Sequence, residues 1–145
     1  MKKTIKVAAA VIRREDGRIL LARRAPGQAF AGKWEFPGGK VEAGETPEQC
    51  LARELREELA IEVAVGGYVC SSRTEYPNVI VEMHAYEVRY GGEELHLTDH
   101  DAVAWVAPHE LSSYEVPEAD IPIVERLMAM GRGPALDASD RSRRP

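Results

Sequence analysis

The segment from Gly38 to Ile61, GGKVEAGETPEQCLARELREELAI, constrains this chain more than any other. Thr46 is a good N-cap, Pro47 fits the first helical position and Gln49 completes a Thr-x-x-Gln capping box, so the spacing predicts a helix from Pro47 to Leu59. At about 100° per residue, Glu54, Glu57 and Glu58 share roughly one third of the circumference, beside an apolar stripe of Leu51, Ala52, Leu55 and Leu59. Like charges three and four residues apart each destabilise a helix by about 0.2 to 0.5 kcal/mol. Three carboxylates on one stripe therefore call for full solvation or for a cation, and carboxylate oxygens suit Mg²⁺ or Mn²⁺. A solvated acidic helix is the plain alternative, and the flanks weigh against it. Gly38-Gly39 lets backbone approach a ligand closely, Arg53 is placed one turn before Glu57 where a planar guanidinium can brace it, and Glu45 lies near the positive end of the helix dipole. Cys50, one turn before Glu54, borders the same face.

Gly39, Glu45, Arg53-Glu54-Leu55, Glu57-Glu58 and Ile61 keep a fixed spacing that resembles the box of the Nudix hydrolase family, G-x5-E-x7-R-E-U-x-E-E-x-G-U with U a bulky aliphatic residue. Ala60 stands where that box has glycine. The glycine takes the left-handed conformation that closes the helix, so alanine there costs about 1 kcal/mol or shifts the cap. The resemblance covers about residues 4 to 130, taking in Trp34-Glu35-Phe36-Pro37, the strand around Trp105 and the segment from Pro117 to Pro122. These outer features are similar to the MutT-like nucleoside triphosphate pyrophosphohydrolases, and in particular to the branch acting on CTP, dCTP and modified pyrimidine nucleotides.

The resemblance implies an α/β Nudix fold, a mixed β-sheet sandwiched between α-helices, and an enzyme of nucleotide-pool sanitation that needs Mg²⁺, with Mn²⁺ able to substitute. It would release a nucleoside monophosphate and pyrophosphate. Carried over residue by residue, Glu54, Glu57, Glu58 and the Gly38 carbonyl are metal ligands, and Arg53 supports catalysis. The general base is Glu54 or an acidic residue of a later loop, where Asp99 lies, with His100 and Asp101 as neighbouring candidates. Arg24 helps hold the nucleotide and Asp120 contacts the base. Trp34 or Phe36 supplies an apolar wall, although either is equally suited to the core. An 8-oxo-dGTP diphosphatase, or a silent nucleotide-binding module of the same family, is the alternative; the intact Arg53, Glu54, Glu57 and Glu58 favour an enzyme.

At 145 residues the chain fits one domain with a sizeable core, expected over residues 1–131, and the segment 132–145 has no apolar periodicity and reads as a flexible tail. A formal charge of −5 argues against a general affinity for nucleic-acid polymers, leaving a small-molecule nucleotide as the expected partner of a monomer or homodimer. Cys50 and Cys70 form no disulfide framework and fit reduced thiols in a cytoplasmic protein. The opening MKKTIKVAAAVIRRE is interrupted by Arg13 and Arg14 and reads as a strand rather than a signal peptide or membrane span.

In chain order, Ile5 to Arg14 and Arg18 to Arg24 read as strands joined at Asp16-Gly17 and paired antiparallel. After the helix, Ile61 to Glu75 and Val79 to Tyr90 form a second hairpin around Tyr76-Pro77-Asn78. A short strand spans Ala102 to Val106. The spacing of Ile121, Val124, Leu127 and Met128 predicts a final helix from Glu118 to Gly131. His84, His96, Glu42 and Glu48 receive no functional role.

Overall fold

The computed structural model describes residues 2–130, and the segment expected to be a tail lies outside them. A seven-stranded mixed sheet carries one α-helix on each face. Its main path runs β3 (Trp34–Glu35), β2 (Ile19–Arg24), β1 (Lys3–Arg13), β6 (Val79–Arg89), β5 (Val65–Glu75); β4 (Gly38–Lys40) pairs with β1 and β7 (His100–Val106) with β2. Helix α1 spans Pro47–Leu59 and α2 spans Ile121–Met130, the latter preceded by 3₁₀ turns at Pro108–Ser113 and Glu118–Asp120. This is the expected α/β/α sandwich. No helix among the described residues is long and apolar enough to cross a membrane.

The two-residue period of a strand sorts the core onto the two faces. Ala8, Ala10 and Ile12 of β1, with Leu20 and Val88, pack against Cys50, Leu51, Leu55 and Leu59 of α1. Ala9 and Val11, with Ile19, Leu21, Met83 and Ala85, pack against Leu111, Ile123, Val124 and Leu127. Three consecutive alanines in β1 keep the sheet thin where α1 and the glycine loop crowd against it.

The first hairpin is antiparallel as expected, but its pairing reaches only Arg13↔Ile19 before the strands diverge. β1 instead pairs along its whole length with β6, in parallel, from Lys3↔Val79 to Arg13↔Arg89, while β2 takes β7 from Ile19↔Val106 to Arg24↔His100. The β5–β6 hairpin forms antiparallel, with bulges between Val65, Tyr68 and Cys70 around Gly66-Gly67. Several boundaries move: the final helix begins at Ile121 rather than Glu118, after a 3₁₀ turn, and β1 begins at Lys3 rather than Ile5. β5 begins at Val65 rather than Ile61, because Ala60 turns the chain out of the helix and Ile61 goes into the core; β7 begins at His100 rather than Ala102.

The capping signals of α1 are realised: the Thr46 hydroxyl accepts from Gln49 N at 3.1 Å and the Gln49 side chain accepts from Thr46 N at 2.9 Å. At the other end Ala60 adopts φ 61°, ψ 38°, and its N–H donates to the Arg56 carbonyl at 3.1 Å. Alanine therefore occupies the left-handed cap in place of glycine, and the helix ends where the box predicts.

Candidate active site

The glycine loop lies flat between the sheet and α1, and each glycine answers to a different neighbour. A Cβ on Gly38 would stand 2.0 Å from the Ala8 carbonyl oxygen, and one on Gly39 would stand 2.4 Å from the Glu54 carboxyl carbon. The Glu54 carboxylate thus rests on the Gly39 backbone. Behind it the Cys50 thiol, fully buried, lies 3.5 Å from the Gly39 and 3.4 Å from the Lys40 carbonyl oxygens, and burial pushes its pKa up to about 11. Cys50 is a neutral hydrogen-bond donor under the loop, and both cysteines are free thiols.

Arg53 is the hub of the acidic face. Its Nε and Nη2 donate to the two oxygens of Glu45 at 2.6 and 3.1 Å, and its Nη1 donates to Glu54 at 3.0 Å and to Glu57 at 3.3 Å. The sequence singled out Glu57 as its partner; the bidentate bond goes to Glu45 instead. Glu45 faces Arg53 across the loop and also accepts from Glu42 N at 2.9 Å, whereas Glu57 points largely into solvent with its side chain 59% exposed. Arg53, by its hydrogen bonds, holds the Glu45 carboxyl below its ordinary value.

Glu58 has the opposite environment. It is 7% exposed, its Oε1 has no hydrogen-bond partner, and burial, with the charges of Glu54, Glu35 and Asp99 added, pushes its pKa up to about 9. A buried carboxylate beside other carboxylates with one oxygen unmatched is a donor set that fits a hard cation. Among the described residues no three acidic, histidine or cysteine side chains converge on one point as they stand, and Glu57 lies exposed against Arg53.

Next to Gly38 and Gly39 opens a cleft of about 240 Å³, lined by Val7, Ala9, Phe36 and Met83 on the apolar side and by Arg24, Glu35 and Lys40 on the polar side, with Ala29 and Phe30 at the adjoining loop. Arg24 lines it, with its nitrogens engaged inside the protein: Nε on the Ala29 carbonyl at 3.0 Å, Nη1 on Glu35 at 3.1 Å and Nη2 on Gln28 at 3.4 Å. Phe36 is both cleft wall and core, at 3% exposure. Trp34 does not line this cleft. It packs edge-on against Tyr114 with centroids 5.3 Å apart and lies under Arg23, so of its two expected roles the geometry gives it the structural one.

Asp120 is also more enclosed than a base contact at a helix start suggests. It is 4% exposed, accepts the Phe36 N–H at 3.2 Å, and is pushed up to about 7 by burial and the nearby Glu35. It stands behind the cleft wall, one hydrogen bond from it.

One residue that the sequence did not assign, Glu35, meets a histidine that the sequence named beside Asp99 as a neighbouring candidate base. Glu35 lines the cleft, and its Oε2 accepts from both Arg24 and the Nε2 of His100, the latter at 2.8 Å. The His100 side chain is fully buried, and its Nδ1 has no partner. His100, a neighbouring candidate to Asp99 in the sequence, is the anchor of that segment. Around it the Asp99 carbonyl accepts from Ala25 N at 3.1 Å, Thr98 Oγ1 donates to the Glu57 carbonyl at 3.2 Å, and His96 N donates to the Leu59 carbonyl at 3.0 Å. The signal for Glu35 was a carboxylate set between two aromatic residues immediately before the glycine loop. Asp101, by contrast, pairs with Arg23 at 2.7 Å away from the cleft.

A wider groove of about 1240 Å³ lies at the far end of β1, around Arg13, Arg14, Arg18 and Arg89. Arg13 and Arg14 are already bound bidentately to Glu87 and Asp16, and none of the box residues reaches it.

The NUDIX domain model matches residues 3–127. The chain is 47% identical over 128 residues to the CTP pyrophosphohydrolase of Escherichia coli (strain K12), covering 88% of this chain and 94% of that protein. It is 42% identical over 127 residues to the 8-oxo-dGTP diphosphatase of Haemophilus influenzae, covering 88% and 93%. Among solved structures, the solution structure of the E. coli ORF135 protein aligns with a TM-score of 0.80 at 42% identity, covering 97% of this chain and 96% of the other. The crystal structure of a MutT protein from Methanosarcina mazei Go1 aligns with a TM-score of 0.80 at 30% identity, covering 88% and 95%.

Proposed function

Because the chain belongs to the NUDIX domain family, we propose that it is a Mg²⁺-dependent nucleoside triphosphate pyrophosphohydrolase acting on CTP, dCTP and modified pyrimidine nucleotides. The observation that carries this is the buried, half-unsatisfied Glu58 beside Glu54, whose carboxylate rests on Gly39 of a cleft walled by Phe36 and Glu35. Glu54, Glu57 and Glu58, with the Gly38 carbonyl, would hold the cation. When bound, a divalent ion offsets the charge of the triphosphate against the acidic helix and lowers the pKa of attacking water.

The residues of the chain supply position and proton transfer. Arg53 fixes Glu54 and Glu45, so Glu54 is oriented to take a proton from water; Asp99, close enough to raise the Glu58 pKa, is the second candidate base. Attack at phosphorus breaks the anhydride bond and yields a nucleoside monophosphate and pyrophosphate. Phe36 offers the base an apolar wall, held by Asp120 through the Phe36 N–H, and Arg24 lines the same cleft. Carboxylates near the cleft accept from the cytosine N4 amino group, whereas uracil presents an acceptor there and is disfavoured. Nucleotide-pool sanitation in the cytoplasm, as a monomer or homodimer, is the role that fits such a reaction.

The 42% identity to an 8-oxo-dGTP diphosphatase supports a second reading, hydrolysis of oxidised purine nucleotides. A nucleotide panel scored for pyrophosphate release, with and without Mg²⁺, separates the two. The expected result is metal-dependent turnover with kcat/KM for CTP or dCTP well above UTP or dTTP. Equal values for cytosine and uracil nucleotides would remove the base assignment, a strong preference for 8-oxo-dGTP would promote the second reading, and no turnover would leave a silent nucleotide-binding domain.

A further inference from the structure

We propose that Phe30 is a base-stacking residue of the cleft, setting affinity for the nucleobase end of the substrate without acting on the phosphate chain; this rests on the nucleotide-hydrolase reading above. Phe30 is 52% exposed and lines the same cleft as Phe36, Glu35, Gly38 and Gly39. An isolated exposed phenylalanine on a protein surface needs no explanation. Its backbone does. Phe30 has φ 59°, in the left-handed region that a bulky side chain rarely enters; Ala60 is the only other such non-glycine residue among those described.

The loop around it holds that conformation. Gln28 N donates to the Ala25 carbonyl at 3.1 Å, Gly32 N to the Arg24 carbonyl at 2.9 Å, and Lys33 N to the Phe30 carbonyl at 3.0 Å. Arg24 grips the loop from inside through the Ala29 carbonyl and Gln28. Arg24, a cleft residue, is thus part of what keeps Phe30 at the cleft. Strained residues that their surroundings over-determine cluster at ligand sites, and an exposed apolar ring beside a cleft gains most when a flat partner covers it.

The ring carries no charge and no hydrogen-bonding group, so its natural partner is the π-face that every nucleobase presents. Polar groups deeper in the cleft are left to distinguish one base from another. The triphosphate belongs at the acidic helix and its cation, where an uncharged ring has nothing to offer.

The test uses the full chain with Mg²⁺, comparing wild type with Phe30→Ala, Phe30→Gly and Phe30→Trp, and measuring KM and kcat for CTP together with the Ki of inorganic tripolyphosphate as a base-free competitor. Phe30→Ala and Phe30→Gly are expected to raise KM by about 5- to 150-fold, the range found on truncating a base-stacking aromatic. The expected kcat and tripolyphosphate Ki stay within about twofold of wild type, and Phe30→Trp is expected to keep KM near wild type, as its ring still stacks. Glycine fits the positive φ, so a folding defect confined to Phe30→Ala is recognised by comparing thermal midpoints. An unchanged KM in both truncations, or an equal loss of CTP and tripolyphosphate affinity, would overturn the proposal. If the wild type turns over no nucleotide, the hydrolase reading falls separately, and equilibrium binding of CTP to the same variants decides for or against Phe30.

Discussion

Replacing Glu58 by glutamine should change how stability depends on pH, and the size of the change follows from burial. In the folded protein without metal the Glu58 carboxyl is held protonated up to about pH 9 by burial and by Glu54, whereas in the unfolded chain it ionises near pH 4.3. A raised acid pKa means the folded state binds the extra proton between those values, so stability is highest below the unfolded pKa and falls as pH rises towards 9. The slope from this one group is about 1.4 kcal/mol per pH unit while the folded form stays protonated. Between pH 7 and 8.5 that amounts to about 2 kcal/mol, or about 6 °C in Tm for a domain of this size. Other buried acids, Asp120 among them, contribute their own slope, so the difference between wild type and Glu58→Gln isolates Glu58. The assay is thermal unfolding in chelator at several pH values for both proteins, repeated with millimolar Mg²⁺. The wild type should lose stability faster than the variant in chelator, and Mg²⁺ should stabilise the wild type more at high pH because it binds the ionised form. Parallel curves in chelator would show that Glu58 ionises normally in the folded state and would sink the argument.

Ala60→Gly should stabilise the protein by about 0.5 to 1 kcal/mol, since relief of the left-handed strain outweighs the added freedom of the unfolded chain; denaturant midpoints measure it, and a loss would mean the cap is not left-handed in solution. Arg53→Lys should lower kcat/KM by at least about tenfold, because an ammonium cannot span both oxygens of Glu45 and still reach Glu54; steady-state kinetics at saturating Mg²⁺ check it, and a normal rate would reduce Arg53 to a surface charge. His100→Leu should cost about 1 to 3 kcal/mol in stability by leaving the partly buried Glu35 with one partner fewer, and should lower kcat as well. His100→Gln, retaining an N–H, should recover part of both; equal losses in the two variants would mean that volume, not the hydrogen bond to Glu35, is what matters.

The helix that carries the acidic residues was legible to the residue, because its start and stop are set by local chemistry: a threonine cap, a proline, a glutamine in reach. Strand positions were legible for the same reason, through alternation and turn residues. Their partners were not. The parallel β1–β6 ladder joins residues far apart in sequence, and no local signal distinguishes it from the hairpin pairing that turns out to stop at Arg13. The site shows the same division. Arg53 was recognised, yet its main partner was taken as the neighbour one turn along the helix and not the loop residue Glu45, since loop closure is invisible to helical periodicity. His100 and Glu35 meet only because β7 and β3 flank β2 on opposite edges. Trp34 and Phe36 have equal claims as sequence, and only the position of the cleft separates them.

Gly38 and Gly39 together act as a shim. With no side chain on either, the distance from the Ala8 carbonyl on the sheet to the Glu54 carboxylate on the helix is one bare backbone thick. The depth at which Glu54 sits is therefore inherited from β1, which is paired along its whole length with β6, and not from the helix that carries it. Loosening α1 would let the carboxylate slide along the loop but not sink towards the sheet. A single methyl group added at residue 39 would move the reacting edge outward by about the thickness of that group, leaving every ligand chemically intact and out of place.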